Sequence, residues 1–228
     1  MGTQVGKIPA EDFRRELYRF WCSSGLVSVE TDSKQPSVDF ESCFQKLWIH
    51  FEELRVWNPK LSLIGPGTSS EVVERHYGES LVAASLFDGS EKRLLDIGSG
   101  GGFPGLILSA AFPELECVLV EPRQKKWAFL RSVIRKADLL SCRVLNARVE
   151  IPLSQSLDVF EDLDVITSRA LSLPHELLAE LLSTFPNVRL LLWVGKEEVE
   201  LPSSARVCRR IDLAGSDHRH IVEIVAKE

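Results

Sequence analysis

The stretch LLDIGSGGGFPG, at residues 94–105, carries the clearest structural signal in the sequence. Its first four residues are apolar except for Asp96, and glycine occupies four of the next five positions. Pro104 follows where a helix can begin, because a proline in the first helical turn loses no hydrogen bond. The stretch therefore predicts a buried strand, a glycine-rich loop and a helix, the order in which α/β sheets build ligand sites at their strand ends.

Downstream of this stretch, short apolar runs alternate with helical patterns. The predicted strands are CVLVE at 117–121, CRVLN at 142–146, DVITS at 164–168 and VRLLLWV at 188–194, and the predicted helices are KKWAFLRSVIRKA at 125–137 and HELLAELLS at 175–183. This alternation predicts the α/β class, with a mostly parallel, doubly wound sheet that has helices on both faces. Two later strands, at 205–213 and 220–225, flank a turn at Gly215, so a hairpin should make one edge of the sheet antiparallel.

Upstream of the glycine stretch, the chain has helical patterns. Residues 10–21 form one predicted helix. A second has an apolar stripe at spacings of three and four, made by Phe40, Phe44, Leu47, Trp48, Phe51 and Leu54. Between them, residues 28–37 are linker-like, and later Thr68 and Glu71 form a capping box that should open a third helix reaching about Leu86. We therefore expect a helical N-terminal extension at 1–90, packed on a main domain at 91–228.

Length and composition limit the classes of function. At 228 residues, the chain suits one sizeable α/β domain with a modest extension. Its net charge of −6 excludes nucleic-acid binding by bulk attraction, so any RNA contact must come from a local basic patch. Its five cysteines contain no CxxC pair, which suits reduced thiols in the cytosol and argues against a thiolate zinc site.

Membrane and metal binding are not expected either. No apolar segment approaches the roughly 18 residues of a membrane span. His218 and His220 can point to one side of a strand, but no third ligand stands near them, so we expect no metal site. These observations predict a cytoplasmic protein, and we take a monomer as the expected state.

Asp96 distinguishes between two interpretations of the glycine loop, a dinucleotide site and an S-adenosylmethionine site. Gly100, Gly102 and Gly105 formally fit the dinucleotide pattern G-x-G-x-x-G, which alone is a weak signal. A carboxylate so close to the loop would repel a pyrophosphate, whereas it would attract the sulfonium and ammonium groups of S-adenosylmethionine. Asp96 therefore favours S-adenosylmethionine over a nicotinamide dinucleotide. Glu121, at the end of the second strand, can accept hydrogen bonds from ribose hydroxyls in either case.

Several separated motifs resemble those of one family. These are WN at 57–58, RHYGESL at 75–81, DIGSGGGFPG at 96–105, KKWAFLR at 125–131, NARVE at 146–150 and SRA at 168–170. In this order, from about Phe44 to Ala226, they resemble the RsmG or GidB family of 16S ribosomal RNA guanine-N7 methyltransferases. The glycine loop is generic to methyltransferases, whereas the upstream R-H-x-x-[DE]-S-L and downstream S-R-A motifs are more specific.

The resemblance implies a Rossmann-like class I methyltransferase, with S-adenosylmethionine as cofactor and 16S ribosomal RNA or the small ribosomal subunit as partner. By position, it implies cofactor contacts at Gly98 and Phe103, an adenine-side pair at Val149 and Glu150, and a site arginine at Arg169. With the physical arguments added, the predicted cofactor-binding residues are Asp96, Gly98, Gly100, Gly102, Phe103, Glu121, Val149, Glu150 and Arg169. Departures from the family pattern, on the expected substrate side, are Ser62, Ile64, Glu79 and Lys196.

The implied reaction needs little from the protein beyond positioning. Guanine N7 already carries a free lone pair, and its methylation releases no proton from that nitrogen, so no general base is required. Holding the reactants in line can contribute roughly 7 to 11 kcal/mol. Arg169 and His76 are the predicted catalytic residues. Arg169 can bind a guanine edge, a phosphate or the cofactor, or pair structurally with Asp96 or Glu150. His76 can face the cleft or be a packed core residue.

A basic patch is the predicted RNA-binding surface, with a solvated helix face as the alternative. Its residues are Arg75, Arg123, Lys125, Lys126, Arg131 and Arg135. A more diffuse second cluster consists of Arg206, Arg209, Arg210 and Arg219. Three other functions remain open on the sequence: methylation of another RNA, a protein or a small molecule; nicotinamide-dependent oxidoreduction; and cofactor sensing without catalysis.

Overall fold

The computed structural model of the chain describes residues 4–26, 39–68, 70–156, 162–169, 173–196, 199–216 and 218–227. The predicted linker at 28–37 lies outside these residues, and so does Ala170 at the end of the S-R-A motif. None of the described helices combines the length and the apolarity that a bilayer crossing requires.

Seven strands of the described residues form one sheet. They are β1 Arg93–Ile97, β2 Glu116–Val120, β3 Cys142–Leu145, β4 Val165–Arg169, β5 Arg189–Val194, β6 Ala205–Asp212 and β7 His220–Ala226. Their spatial order is β3-β2-β1-β4-β5-β7-β6, and all neighbours up to β5 pair in parallel. β7 runs antiparallel to both β5 and β6. The predicted sheet is confirmed with one refinement: the reversed strand is next to the edge, because β7 inserts between β5 and β6.

Helices cover both faces of this sheet. They are α1 Ala10–Ser23, α2 Phe40–Leu61, α3 Glu79–Val82, α4 Gly105–Ala111, α5 Gln124–Lys136, α6 Leu153–Ser156 and α7 His175–Thr184. Side chains alternate along a strand, so Leu94 of β1 joins an apolar cluster with α1, α2, α4 and α5, while Leu95 joins a second cluster with α6 and α7. The central strands are therefore apolar on both sides, as a parallel sheet between two helical layers requires.

The helices before β1 share the first apolar cluster with the sheet. Phe13 of α1 is fully buried, and its ring centroid lies 4.9 Å from that of Phe51 in α2 and 5.0 Å from that of Tyr77. The apolar stripe predicted for α2 packs against α1, α4 and α5. One continuous core thus extends from the helical part of the chain to β1.

The segment between α2 and β1 departs from its prediction. It reaches its predicted end as a helical segment, but it begins with a 3₁₀ turn at Pro66–Thr68 and continues as a π-helical turn at Val73–Gly78. The capping-box prediction is wrong, because Thr68 ends the 3₁₀ turn and its N–H donates to the Gly65 carbonyl at 3.2 Å, so Thr68 does not cap the later turn. The Thr68 hydroxyl instead lies 2.8 Å from the His76 Nε2. A π-helical turn is rare and recurs at functional sites.

Candidate functional site

A cavity of about 880 Å³ opens at the carboxyl ends of four parallel strands. Ile97 ends β1, Glu121 follows β2, Ala147 lies beyond β3 and Arg169 ends β4, and all four residues line the cavity. Parallel strands end at the same edge of a sheet, so the fold itself brings these distant residues together. This is the position that the sequence predicted for a ligand.

The glycine loop after β1 forms one wall of the cavity, to which Gly98, Gly100 and Phe103 contribute. Gly102 stands behind this wall with a φ of +92°, and a Cβ there would lie 3.1 Å from the Leu106 Cβ and 3.3 Å from the His50 Nε2. Glycine alone adopts this left-handed conformation without strain. The course of the loop therefore depends on Gly102, although Gly102 does not line the cavity.

His50 of α2 supports the loop from behind, a role that the sequence analysis missed. Its buried side chain places Nε2 2.8 Å from the Gly101 carbonyl and Nδ1 2.6 Å from the Tyr77 hydroxyl. A carbonyl only accepts, so Nε2 carries the proton and Nδ1 accepts from Tyr77. Burial lowers the pKa of His50 to about 4, which keeps the ring neutral at neutral pH. The available signal was a histidine between Leu47 and Leu54 on an apolar stripe, where a polar group needs partners.

Glu121 links the end of β2 to the loop. Its carboxylate is buried and accepts hydrogen bonds from the N–H groups of Gly100 at 2.9 Å and Arg123 at 2.8 Å. The Asn146 amide donates to the Glu121 carbonyl at 3.0 Å and so fixes the backbone at this strand end. Each carboxylate oxygen keeps a further lone pair, so Glu121 can still accept from the hydroxyls of a ligand. The ribose contact stays a prediction.

Asp96, the residue on which the cofactor prediction rested, lies beneath the loop rather than on the cavity wall. It is fully buried, and its carboxylate accepts from the Thr167 hydroxyl at 2.7 Å and from the Gly105 N–H at 3.3 Å. Burial raises the pKa of Asp96 to about 6 against the opposing effect of these hydrogen bonds. Asp96 therefore fixes the start of α4, and its direct contact with a cofactor stays a prediction.

Most of the other predicted cofactor residues meet in the cavity. The predicted residues that line it are Gly98, Gly100, Phe103, Glu121, Val149, Glu150 and Arg169. Val149 is nearly buried beyond β3, whereas Glu150 is exposed and lies 3.5 Å from the Arg148 guanidinium. Apolar side chains of Leu173 and Leu177 complete this part of the lining. Aliphatic side chains of this kind suit the flat face of an adenine ring.

His76 and Arg169, the predicted catalytic residues, lie beside one another at the cavity. The ring centroid of His76 is 4.9 Å from that of Phe103, and both rings line the cavity. Burial, then the charges of Arg169 and Arg75, lower the pKa of His76 to about 3. At neutral pH, His76 is therefore uncharged. Arg169 stays charged, because burial lowers its pKa only to about 10.

Glu79 holds Arg169 in place and forms ion pairs with two further arginines. Its carboxylate lies 2.7 Å from the Arg169 guanidinium and 3.3 Å from that of Arg75, and it also pairs with Arg219. Arg169 donates in addition to the Arg75 carbonyl. The structural partner of Arg169 is thus Glu79 rather than Asp96 or Glu150. Three guanidinium groups converge on one carboxylate that is 6% exposed, so Glu79 organises this side of the site.

The predicted RNA-binding residues fall into two groups. Arg123 and Lys126 line the cavity, and Lys125, Arg131 and Arg135 project from α5 as exposed side chains. Arg75 does not join this surface, because its guanidinium is one-quarter exposed and is engaged by Glu71 and Glu79. Its contact with RNA stays a prediction. The group on α5 forms a cationic surface that continues to the cavity.

The positive charges of the second arginine cluster are largely neutralised by neighbouring carboxylates. Arg209 pairs with the buried Glu223, Arg210 with Asp212, and Arg219 with Glu79. Within the described residues, no group of three or more His, Cys, Asp or Glu side chains is placed to hold a metal ion. Three of the four arginines in the second cluster are thus paired with carboxylates, whereas Lys125, Arg131 and Arg135 on α5 carry no such ion pair among the described residues.

Comparisons with known proteins agree on one family. A family model described as GidB, rRNA small subunit methyltransferase G, matches residues 44–208. The ribosomal RNA small subunit methyltransferase G of Desulfotalea psychrophila is 42% identical over 162 residues, covering 71% of this chain and 68% of that protein. The one from Magnetococcus marinus is 36% identical, covering 72% and 73%. The one from Roseiflexus castenholzii is 41% identical, covering 53% of this chain and about half, 51%, of that relative.

Two solved structures are similar in fold. A mutant of MtNAS in complex with S-adenosylmethionine has a TM-score of 0.54 at 15% identity, covering 98% of this chain and 100% of that chain. TrmN from Thermus thermophilus has a TM-score of 0.50 at 16% identity, covering 68% and 53%. At such identities the likeness shows the fold alone, which is Rossmann-like.

Proposed function

The chain belongs to the rRNA small subunit methyltransferase G family, and from that membership we propose that it methylates N7 of a guanine in 16S ribosomal RNA of the small subunit. The observation that carries this proposal is the cavity at the strand ends, where the glycine loop, Glu121 and Arg169 meet. The family match favours methyl transfer over nicotinamide chemistry, and it favours ribosomal RNA over a protein or a small molecule as the substrate.

The residues of the cavity fit S-adenosylmethionine, the cofactor of this methyltransferase family. Gly98 and Gly100 leave space for a ligand against the loop backbone, Glu121 offers carboxylate lone pairs to ribose hydroxyls, and Val149 offers an apolar surface to adenine. When bound, this cofactor supplies an electrophilic methyl group. We propose that the nine predicted cofactor residues divide into seven that line the cavity and two, Asp96 and Gly102, that shape the loop from behind.

The protein's contribution to the reaction is mainly positional. A neutral His76 cannot donate a proton as an imidazolium at neutral pH, and N7 of guanine needs no base, so proton transfer is not required of either catalytic candidate. Arg169 is fixed by Glu79 and by the Arg75 carbonyl, so it meets a substrate with little loss of side-chain entropy.

We place the RNA on the cationic surface of α5. Lys125, Arg131 and Arg135 are exposed there, and Arg123 and Lys126 continue the positive charge into the cavity. Phosphate contacts of this kind position a nucleic acid without reading its sequence. We further propose that residues 91–228 are the methyltransferase domain, that 1–90 are its helical extension, and that the protein acts as a monomer in the cytoplasm, where ribosomal subunits are made.

Methyl transfer to isolated small ribosomal subunits tests the proposed function. Subunits and their free RNA from cells lacking this protein are incubated with radiolabelled S-adenosylmethionine, and nuclease digestion with mass analysis identifies the labelled nucleoside. We expect one N7-methylguanine in the 16S RNA. Label in another nucleoside, in ribosomal protein, or in neither substrate would overturn the proposal.

A pair of glycine variants tests the cofactor site. Gly100→Asp should abolish the binding of S-adenosylhomocysteine measured by calorimetry, because Gly100 lines the cavity with a φ of +54° and the new carboxylate would stand where the ligand lies. Gly67→Ala is the matched control, since nothing lies within 4 Å of a Cβ at that exposed position. Equal affinity in the two variants would place the cofactor elsewhere.

A further inference from the structure

We propose that His76 recognises a purine that carries a proton on N1 and thereby selects guanine over adenine at the reaction site. This proposal deepens the proposed function and rests on it for the identity of the reacting base. His76 lines the same cavity as the glycine loop, and its ring is held against Phe103. Its role would be to determine specificity, in direct contact with the substrate.

The cavity has room for a base beside the cofactor. Its volume of about 880 Å³ is near the upper end of small-molecule sites, which span roughly 300 to 1,000 Å³. Beyond the glycine loop, the lining continues with His76, Arg169 and the apolar Leu63. Enzymes that modify a base within RNA commonly take it out of its stack into such a pocket.

The hydrogen bonds around Thr68 fix which nitrogen of His76 carries the proton. The Thr68 hydroxyl donates to the Gly65 carbonyl at 3.1 Å, so its oxygen has only lone pairs to offer His76 Nε2, which lies 2.8 Å away. This arrangement of donors and acceptors favours the tautomer that carries its proton on Nε2. The opposite tautomer would require the hydroxyl to turn from Gly65 to His76, at the cost of one hydrogen bond.

Nδ1 of His76 is consequently a hydrogen-bond acceptor. Within the described part of the chain it has no hydrogen-bond partner. The groups that face this ring are the guanidinium groups of Arg169, Arg75 and Arg219 and the ring of His50. All three guanidinium groups oppose protonation of His76. On this proposal, the Nδ1 lone pair of His76, and no N–H, faces a ligand in the cavity that the ring lines.

That lone pair distinguishes the two purines. Guanine carries a hydrogen on N1, which can donate to Nδ1, whereas adenine carries a lone pair on N1, which would face the lone pair of the histidine. A site built to accept a proton donor rejects the analogue that lacks one, because the buried acceptor is then left unpaired. N1 and N7 lie on opposite sides of a purine, so a base held at N1 keeps N7 free.

The same contact strengthens during the reaction. Methylation of N7 makes the guanine positively charged, and its N1–H becomes a better donor. A hydrogen bond from N1–H to a neutral acceptor is then stronger in the transition state than in the ground state, which is the condition for an interaction to raise the rate. A protonated histidine at this position would repel the same charge.

Nucleotide binding tests the proposal without depending on methyl transfer. The protein is saturated with S-adenosylhomocysteine and titrated with GMP, IMP and AMP. We expect GMP and IMP, which both carry N1–H, to bind at least roughly fivefold more tightly than AMP, the effect of about one hydrogen bond. His76→Phe, which keeps an aromatic ring beside Phe103, should remove the preference for GMP and IMP. Thr68→Val should reduce this preference, because valine has no hydroxyl to accept from Nε2 and either ring nitrogen of His76 can then carry the proton. His218→Phe, an exposed histidine, is the control and should retain it.

Nitrogen-15 NMR of histidine-labelled protein adds a direct readout. The His76 signals should show a protonated Nε2 and an unprotonated Nδ1, and the Nδ1 signal should move with GMP and not with AMP. Equal affinity for GMP and AMP, a preference that survives in His76→Phe, no binding of either nucleotide, or a protonated Nδ1 would each overturn the proposal. A failure to methylate 16S RNA would instead overturn the proposed function and would leave these binding results unchanged.

Discussion

The His50 side chain joins α2, the π-helical turn and the cofactor loop through two hydrogen bonds inside the core. Its pKa is lowered from 6.5 to about 4. A lowered histidine pKa means that the neutral ring contributes stability fully above about pH 6.5, and that this contribution is lost as the pH falls through about 4. The full effect is about 3 kcal/mol. His50→Gln should therefore unfold with a weaker dependence on pH over this range, measured by urea denaturation.

Asp96 changes stability in the opposite direction and must be separated from His50. Its pKa is raised to about 6, so its contribution is present at low pH and is lost as the pH rises through about 6. Both the wild-type protein and His50→Gln contain Asp96. Its contribution therefore cancels when the free energies of unfolding of the two proteins are subtracted at each pH. A difference that does not change with pH would contradict the assigned role of His50.

At the scale of the element, the C-terminus of α2 carries a strained residue. Ser62 ends the helix with φ of 50° and ψ of 57°, the left-handed region, and its N–H donates to the Asn58 carbonyl at 2.9 Å. Asparagine tolerates this conformation better than serine does. Ser62→Asn should raise the free energy of unfolding by a fraction of the roughly 1 to 2 kcal/mol that the left-handed conformation costs an ordinary residue. Ser62→Ala keeps the strain and should not stabilise the protein, so a gain of equal size in both variants would refute the explanation.

The elements differ in how far the sequence could predict them. The strands up to β5, the glycine loop and the strand-end location of the site follow from local patterns, because apolar runs and glycines act over a few neighbouring residues. The π-helical turn does not follow from local patterns. It accompanies a hydrogen bond between Thr68 and His76, and the sequence alone is equally compatible with a capping box formed by Thr68 and Glu71. The central position of Glu79 is predictable only in part, because Arg75 is a local partner four residues away, whereas Arg169 and Arg219 come from distant segments.

The site residues show the same limit. Gly98, Phe103, Glu121 and Arg169 are found by motif and strand-end position, and the structure places each of them at the cavity. Asp96 was assigned a ligand contact because its charge suits the cofactor, but its strand position faces Thr167 and the start of α4. Whether a strand-end side chain faces the cavity or the core depends on its alternation within a three-dimensional sheet, which charge alone does not reveal.

For the whole molecule, the shared apolar core predicts a single unfolding transition. Phe13 is fully buried and packs on Phe51 and Tyr77, within the cluster that also contains Leu94 of β1. Phe13→Ala should lower the free energy of unfolding by about 3 to 5 kcal/mol. Tryptophan fluorescence and circular dichroism should still report one coincident transition.

An exposed aromatic residue of the same helix provides the control. Tyr18 is 48% exposed, so Tyr18→Ala should cost less than about 1 kcal/mol. Two separate transitions in Phe13→Ala, one for the helices before β1 and one for the sheet, would show that residues 1–90 and 91–228 are independent folding units.

The two sides of the cavity also differ in when the ribosome makes them. The loop after β1, Glu121 and residues 147–151 precede Arg169 and residues 173–177 in the chain. Synthesis proceeds at about 5 to 20 residues per second, so the 26 residues from 152 to 177 take about one to five seconds. During that interval a nascent chain carries His76, the glycine loop and Glu121 but not yet Arg169, Leu173 and Leu177. The cavity therefore gains Arg169 and the last part of its apolar lining only when these later residues have been made.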